Sequence, residues 1–119
     1  KENSMGYRSQ VVLAVSKKVM PQFMSTMAKS PEARELCFAH ADRLEKDYED
    51  PGGMLFCWGH IKWYDSYEPI QALIDFMDWA EGEDHEEEFK FIRIGEELDD
   101  TEQRGWGFQE VYVTRSIEF

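Results

Sequence analysis

The chain has few of the residues that mark several common classes of protein. Cys37 and Cys57 are its only cysteines among 119 residues, too few for the disulfide framework of a small secreted fold. No apolar run approaches the ~20 residues of a membrane-spanning helix. Neither a phosphate-binding loop nor a GxGxxG dinucleotide motif is present in the sequence. These absences predict a reduced, cytoplasmic protein with no membrane contact and no cofactor.

Basic residues are also scarce, with 13 Lys and Arg against 25 Asp and Glu and a net charge of −12. Fifteen of the acids lie between Asp65 and Glu102, where Lys90 and Arg93 are the only basic residues. This segment therefore carries −13 and the remainder of the chain +1. Such a concentration of negative charge disfavours direct contact with nucleic-acid phosphates and favours a basic protein partner.

Apolar side chains are abundant, at 42% of residues with 14% aromatic. A chain of this length and composition can bury one core without metals or disulfides, which excludes wholesale disorder. Met5 opens a pattern typical of a native start. We therefore interpret residues 1–4 as a non-native remnant and residues 5–119 as a single α+β domain.

The first half of the chain predicts a strand followed by helices. Alternation of apolar residues predicts a strand over Tyr7–Val15. Ser16 can cap a helix that buries Phe23, and Ser30-Pro31 is a second helix start, giving two helices or one that is kinked. The second helix is expected to run toward Tyr48 and to bury Ala33, Leu36, Cys37, His40 and Leu44.

The second half begins after the strong breaker Asp50-Pro51-Gly52-Gly53. Met54–Tyr64 has aromatics on both faces, so it predicts a central strand or one covered by a partner. A helix is predicted from Asp65 to Gly82. Its core stripe is expected to contain Ile70, Leu73, Ile74, Met77 and Ala80.

Two further strands complete the predicted fold. They are Phe89–Glu96 and Phe108–Phe119, joined by a polar connection over Glu97–Gly107 and expected to pair as a hairpin. The order is β-α(α)-β-α-β-β. It predicts an α+β fold with a four-stranded, mostly antiparallel sheet and two or three helices packed on one face.

Two Cys-x-x-His motifs are the sharpest candidates for chemistry. Cys37 and His40 lie three residues apart on a predicted helix, and Cys57 and His60 lie three apart on a predicted strand. Four such ligands could hold zinc, or a cysteine–histidine pair could form a thiol enzyme. Residues three apart on a strand point to opposite faces, however. We expect no metal and no catalytic residue, and keep the metal or thiol enzyme as an alternative.

The aromatic residues suggest interaction surfaces. Trp106 lies in the polar, glycine-flanked segment Arg104-Gly105-Trp106-Gly107, which favours an exposed anchor for a protein interface or a lid on the core. The strand Met54–Tyr64 could instead form the interface of a homodimer or another homo-oligomeric structural module. Both possibilities stay open at the level of sequence.

The acidic segment is the strongest candidate binding surface, because its charges are carried on a predicted helix, a loop and a second loop. Carboxylates arrayed in this way can resemble the phosphates of duplex DNA and occupy a basic nucleic-acid groove. The predicted binding residues are Asp75, Asp78, Glu83, Asp84, Glu86, Glu87, Glu96, Glu97, Asp99, Asp100, Glu102 and Trp106.

The opening Met5-Gly6-Tyr7-Arg8-Ser9, followed by an apolar strand, resembles the start of small uncharacterised proteins encoded by bacteriophages and prophages. This resemblance implies a phage accessory protein in the host cytoplasm, a group that includes inhibitors of host proteins and acidic mimics of DNA. The sequence thus predicts a non-enzymatic phage-type protein that binds a basic host protein.

Overall fold

The computed structural model describes residues 6–113 and 117–118. Its regular elements are β1 (Ser9–Val15), α1 (Met20–Lys29), α2 (Pro31–Phe38), β2 (Arg43–Lys46), β3 (Met54–Ile61), α3 (Glu68–Gly82), β4 (Phe89–Ile94), β5 (Thr101–Arg104), β6 (Tyr112–Val113) and β7 (Ile117–Glu118). Two 3-10 turns, Lys17–Val19 and Glu86–Glu88, precede α1 and β4. The first five strands form an antiparallel sheet in the order β2-β3-β1-β4-β5, and β6 pairs with β7.

Serine caps and prolines determine where the early helices begin. The Ser16 hydroxyl accepts a hydrogen bond from the Lys18 amide at 3.2 Å and caps the 3-10 turn before α1. Ser30 Oγ accepts from the Ala33 amide at 3.2 Å and caps α2. Pro31 occupies the first turn of α2, where its missing N–H costs no helical hydrogen bond. The chain therefore forms two separate helices here.

The central strand β1 is buried on both faces, and its alternating side chains belong to two cores. Val11, Leu13 and Val15 pack with residues of all three helices in the larger core. Val12 and Ala14 belong to a smaller core on the other face, which includes residues of the C-terminal segment. The sheet thus has helices on one face and an irregular segment on the other.

The predicted class is confirmed in its coarse form: the fold is α+β with an antiparallel sheet and three helices. The buried face of α3 differs from the predicted stripe at two positions. Phe76 is buried, with its ring centroid 5.2 Å from that of Phe23, whereas Ile74 is only partly buried. No helix in the described part of the chain is long and apolar enough to cross a bilayer. The confirmed buried positions of the predicted stripe are Ile70, Leu73, Met77 and Ala80.

The prediction of four strands is wrong, because the sheet has five. One additional strand is β2, in a segment that the sequence predicted as helix through Leu44 toward Tyr48. Before it, the Asp42 amide donates to Cys57 O at 2.8 Å, and the Asp42 carboxylate accepts from the Gly59 amide at 2.5 Å. These bonds hold the chain against β3, although no Gly or Pro marks the end of the helix.

The other additional strand is β5, which lies in the predicted connection Glu97–Gly107. It is a largely exposed edge strand, so it lacks the apolar alternation by which strands are recognised. In place of the single strand Phe108–Phe119, the described residues form the short pair β6 and β7, and residues 114–116 and 119 lie outside them. The predicted final hairpin is also wrong, because β4 pairs with β1 and β5.

Candidate functional site

The carboxylates predicted as one binding surface lie on and after α3 and at the two ends of β4. The turn Glu86–Glu88 precedes β4, and the β4–β5 hairpin loop 95–100 follows it. β4 has six residues, and a strand rises by about 3.3 Å per residue, so the two ends lie ~17 Å apart. The acidic segment therefore presents two separate surfaces.

At the hairpin end, Arg93 binds two of the predicted carboxylates. Its guanidinium donates to Asp100 Oδ1 at 2.7 Å and to Glu102 Oε1 at 3.1 Å. Asp100 Oδ2 also accepts from the Tyr7 hydroxyl at 2.6 Å. The hydrogen bond from Arg93, followed by that from Tyr7, holds the pKa of Asp100 below its ordinary value. Asp100 and Glu102 therefore stabilise the hairpin.

The rest of the hairpin loop combines exposed charge with one exposed apolar residue. Glu96 Oε2 accepts from the Arg8 amide at 2.7 Å, which attaches the loop to the segment before β1. Glu97 and Asp99 are exposed, and between them Leu98 is fully exposed. The sequence contained a signal for Leu98, because it is the only apolar residue between Glu96 and Asp100.

Arg104 of β5 binds the carboxylates on the C-terminal half of α3. Its guanidinium contacts both oxygens of Glu81, at 3.0 and 2.8 Å, and Asp78 Oδ1 at 2.6 Å. The hydrogen bonds to Glu81 are the main reason that the pKa of Arg104 is raised. One turn earlier, Asp75 is exposed and accepts from the Gln71 side chain at 2.9 Å. Asp78 and Glu81 thus connect α3 to the edge of the sheet.

At the other end of β4, the loop after β5 packs against the turn Glu86–Glu88. The Trp106 amide donates to Glu86 O at 2.9 Å, and the Gly107 amide donates to Phe89 O at 3.1 Å. Gly105 has a φ of +73°, which favours glycine, and a Cβ at Gly107 would overlap Glu87 O. Trp106 is therefore held by its backbone while its side chain stays 56% exposed.

Five acidic residues line a cleft of about 370 Å³ beside this loop, which we call the acidic cleft. They come from three separate parts of the chain: the β2–β3 turn, the 3-10 turn before β4 and the segment before β6. No Lys or Arg is among the described residues that line the cleft. The lining residues are Ser16, Glu49, Asp50, Glu87, Glu88, Phe108, Gln109 and Glu110.

The carboxylates of the acidic cleft have unused capacity to accept hydrogen bonds. Glu88 Oε1 accepts from the Ser16 hydroxyl at 2.6 Å. Glu110 Oε2 is buried, and no donor among the described residues reaches it. Glu49, Asp50 and Glu87 are exposed. A cationic group entering the cleft would meet several carboxylate acceptors.

The structure thus separates the predicted binding residues. Glu86 and Glu87 lie with Trp106, and exposed Glu83 and Asp84 follow α3 nearby in sequence. Glu49, Asp50 and Glu110 were not among the predicted binding residues, because they lie in the part of the chain with almost no net charge. They reach the cleft only because the β2–β3 turn packs beside the segment after β5, which contains Phe108. Asp75, Asp78, Glu96, Glu97, Asp99, Asp100 and Glu102 lie elsewhere, on α3 or the hairpin.

The cysteines of the two Cys-x-x-His motifs lie in different cores. Cys37 is buried in the core between the helices and the sheet, whereas Cys57 belongs to the core on the opposite face. Burial raises the pKa of the Cys37 thiol to about 12 and that of Cys57 to about 11. Among residues 6–113 and 117–118, no group of three or more His, Cys, Asp and Glu could hold a metal ion.

The strand predicted as a homodimer interface is internal. β3 pairs with β2 on one side and β1 on the other. Phe56 and Trp58 are buried in the core under the helices, and Leu55 and Cys57 are buried in the opposite core. Both faces of the strand are therefore covered within one chain.

Comparisons of the chain with models of protein families, with curated proteins and with solved structures found no match. The fold alone would not determine the function in any case, because one fold carries many activities. The functional conclusion therefore rests on the acidic cleft and the residues around it.

Proposed function

We propose that this chain is a small, acidic, non-enzymatic protein whose acidic cleft receives a basic segment of another protein. The observation that supports this function is that five acidic residues, from three parts of the chain, line one cleft next to the loop that carries the half-exposed Trp106. A surface that only kept the protein soluble would need no such convergence.

The chemistry of the cleft favours Arg or Lys as the group that enters it. A guanidinium can bond two carboxylate oxygens at once, and charge-assisted bonds of this kind are roughly twice as strong as neutral ones. Glu87 and Glu88 line the cleft together with Glu110 and supply carboxylate acceptors. Phe108 adds an apolar surface for the methylene stem of the entering side chain.

Trp106 is the proposed anchor at the edge of this contact. Tryptophan side chains that are fixed before binding are common among the residues that dominate binding energy. The hydrogen bond from the Trp106 amide to Glu86 O fixes the backbone, so little order has to be gained when a partner binds. The exposed indole face can also receive a cationic side chain.

In the narrower form of the proposal, the protein is a phage-type accessory protein in the host cytoplasm and acts as an inhibitor that mimics DNA. The supporting observations are the Met5–Ser9 opening and the net charge of −12. The partner would then be a host protein with a nucleic-acid-binding surface. Duplex DNA should displace it from the acidic cleft. A partner that stays bound under excess DNA would contradict the mimic and leave the basic-partner proposal intact.

The test uses two variants that change the net charge equally. Glu49→Lys, Asp50→Lys and Glu87→Lys reverse three exposed charges of the cleft. Asp75→Lys, Glu97→Lys and Asp99→Lys reverse three exposed charges away from it. Immobilised wild-type protein should capture a partner from host lysate in dilute salt. The cleft variant should lose this partner and the control variant should retain it.

Salt provides a second arm of the same experiment. Charge pairs between exposed surfaces weaken as ionic strength rises, because the screening length falls to about 3 Å at 1 M. The captured partner should therefore be released as salt is added, and earlier from the Trp106→Ala variant than from wild type. Equal loss of the partner from both charge variants would show that net charge alone is responsible, which contradicts a specific cleft.

A further inference from the structure

The outer edge of β2 has no neighbouring strand among the residues that the structure describes, because β2 is the first strand in the order β2-β3-β1-β4-β5. An exposed edge can pair with a strand of another chain, and proteins often block such edges with proline or with charge. No proline lies in β2, and the strand is outside the acidic segment Asp65–Glu102, whereas β5 at the other edge begins within that segment. Of the two edges, β2 therefore presents less negative charge to an added strand.

The backbone groups that face outward along this edge follow from the alternation of a strand. Cys57 O accepts from the Asp42 amide at 2.8 Å, so the backbone groups of Cys57 point toward β2. Arg43 is the residue paired with Cys57. Since successive residues turn their backbone groups to opposite sides, those of Arg43 face β3 and those of Leu44 and Lys46 face away from it. A strand added at this edge would therefore bond to Leu44 and Lys46.

The side chains along the edge are complementary to a second copy of the same strand. Residues 42–46 are Asp-Arg-Leu-Glu-Lys, with charges in the order negative, positive, neutral, negative, positive. When two copies run antiparallel with Leu44 opposite Leu44, each Arg43 lies opposite a Glu45 and each Asp42 opposite a Lys46. Opposite charges directly across a strand pair are stabilising and like charges are destabilising. The next register that bonds through Leu44 and Lys46 would place Glu45 opposite Glu45, so the first register is favoured.

These charged side chains have contacts within one chain, and the pairing does not require them to be free. Arg43 contacts the Glu45 carboxylate of its own strand, and the two side chains are still 55% and 32% exposed. Asp42 Oδ2 accepts from the Gly59 amide at 2.5 Å. A carboxylate has about four acceptor sites and a guanidinium has five N–H donors, so each can bind a second group. Two copies would bring two such Arg43–Glu45 pairs together with alternating charge.

An exposed apolar patch adjoins this edge on the helical face of the sheet. Met24 is 43% exposed and Phe38 is 36% exposed. Both line a groove of about 350 Å³ that reaches Lys46 of β2. The Phe38 ring centroid lies 5.4 Å from that of Phe56, which is the residue opposite Leu44 in β3. A strand pair centred on Leu44 would bring the patches of two copies together and cover apolar surface that one chain leaves in water.

We propose that the chain forms a two-fold symmetric dimer in which β2 pairs antiparallel with β2 of a second copy, with Leu44 opposite Leu44. The dimer joins the two five-stranded sheets into one continuous sheet. The interface is isologous, because the same residues meet from both sides. It is small, so we expect a dissociation constant on the order of 100 µM. The dimer does not depend on the function proposed for the acidic cleft.

Sedimentation equilibrium of the full chain at physiological salt tests for the dimer. Between about 10 µM and about 1 mM, the measured mass should rise from that of one chain toward that of two. Nuclear magnetic resonance of ¹⁵N-labelled protein over the same range locates the contact. The amide signals of Leu44 and Lys46 should shift with concentration, and those of residues 101–104 in β5 should stay in place.

Two charge reversals test the register of the strand pair. Arg43→Glu alone and Glu45→Arg alone each bring like charges together across the two copies, so each should weaken the dimer at least about tenfold. An equimolar mixture of the two variants should form a heterodimer of about wild-type affinity, because each charge then lies opposite its complement. Lys29→Glu and Glu83→Arg, the matched reversals at exposed positions outside β2, should dimerise as wild type does.

The mixture separates the register from structural damage, because a variant that fails to fold is not restored by mixing. The inference is overturned if the wild-type chain sediments as a single chain up to about 1 mM. Concentration-dependent shifts in β5 with none in β2 would also contradict it. So would a mixture of the two folded reversal variants that associates no more tightly than either variant alone.

Discussion

Two groups of carboxylates in this molecule have different surroundings. Asp78, Glu81, Asp100 and Glu102, which we call the tethered carboxylates, are bound by Arg104 and Arg93. The carboxylates of the acidic cleft have no Lys or Arg among the described lining residues. The difference shows that a run of negative charge in a sequence can combine charges that hold the fold together with charges available to a partner.

The tethered carboxylates connect elements that the chain separates. Arg104 is 17% exposed and Arg93 16% exposed, so both guanidiniums are largely withdrawn from water. A partly buried cation that loses its partners is costly, which makes these pairs more significant than ordinary surface ion pairs. In the acidic cleft the situation is reversed, since no Lys or Arg among the described residues lines it.

Replacement of Trp106 should weaken partner binding and have little effect on folding. Its indole is 56% exposed and its backbone bonds do not depend on the side chain. Trp106→Ala should cost about 2 kcal/mol of binding free energy, or ~30-fold in affinity for the partner captured by the wild type. Titration calorimetry measures the affinity and urea unfolding measures the stability. Equal binding by the variant would remove Trp106 from the interface.

Replacement of Arg104 should instead lower the stability of the fold and leave partner binding unchanged. Arg104→Gln removes the bonds to Glu81 and Asp78 that join β5 to α3. We expect a loss of about 1–2 kcal/mol in the free energy of unfolding, with partner binding retained. Arg34→Gln, at an exposed position on α2, is the matched loss of charge and should change stability by less than ~0.5 kcal/mol. Equal stability of the two variants would contradict the structural role.

The interaction of Asp100 with Arg93 and Tyr7 should contribute to the free energy of unfolding by an amount that depends on pH. Because Arg93 and Tyr7 lower the pKa of Asp100 in the folded state, its ionised form contributes stability above its ordinary pKa of about 4. That contribution is lost as pH falls through the lowered value. Asp100→Asn should therefore cost about 0.5–1 kcal/mol at pH 7, after allowance for solvent screening.

The check on Asp100 is urea unfolding at neutral pH and near pH 3. The difference between Asp100→Asn and wild type should shrink at the lower pH, where the wild-type carboxyl also begins to protonate. Asp99→Asn, at an exposed neighbouring position, should show no difference at either pH. A constant difference across this range would mean that the charge of Asp100 is not responsible.

The smallest effect is expected at the tip of the hairpin. Leu98 is fully exposed, so Leu98→Ser should change the free energy of unfolding by less than ~0.5 kcal/mol. It should also leave partner binding unchanged, because the hairpin lies at the other end of β4 from the acidic cleft. Reduced partner affinity in this variant would instead place the contact surface on the hairpin.

The sequence contained enough information for the main buried elements. The stripe of α3 and the strand at Met54 follow from apolar spacing, and Ser30-Pro31 predicts the start of α2. The two added strands had no such signal, because both are edge strands: β5 is largely exposed and β2 contains a single apolar residue, Leu44. Backbone pairing holds these strands, and it leaves little trace in the pattern of side chains.

The site was predictable only in part, for a related reason. Glu86, Glu87 and Trp106 could be selected from the density of charge and from the glycines on each side of the tryptophan. Glu49, Asp50 and Glu110 could not, since their approach depends on how the β2–β3 turn packs beside the segment after β5. Arg93 and Arg104 limited the prediction in the opposite way. They bind carboxylates that the sequence alone predicts to be available to a partner.

The most direct test of the acidic cleft is a titration of ¹⁵N-labelled protein with the peptide acetyl-Gly-Arg-Gly-Arg-Gly-amide at physiological salt. We predict that the largest shifts occur at the amides of Glu87, Glu88 and Glu110 and at the Trp106 indole, and that the signals of residues 96–99 stay in place. Shifts at residues 96–99 that equal or exceed those of the cleft would contradict the account.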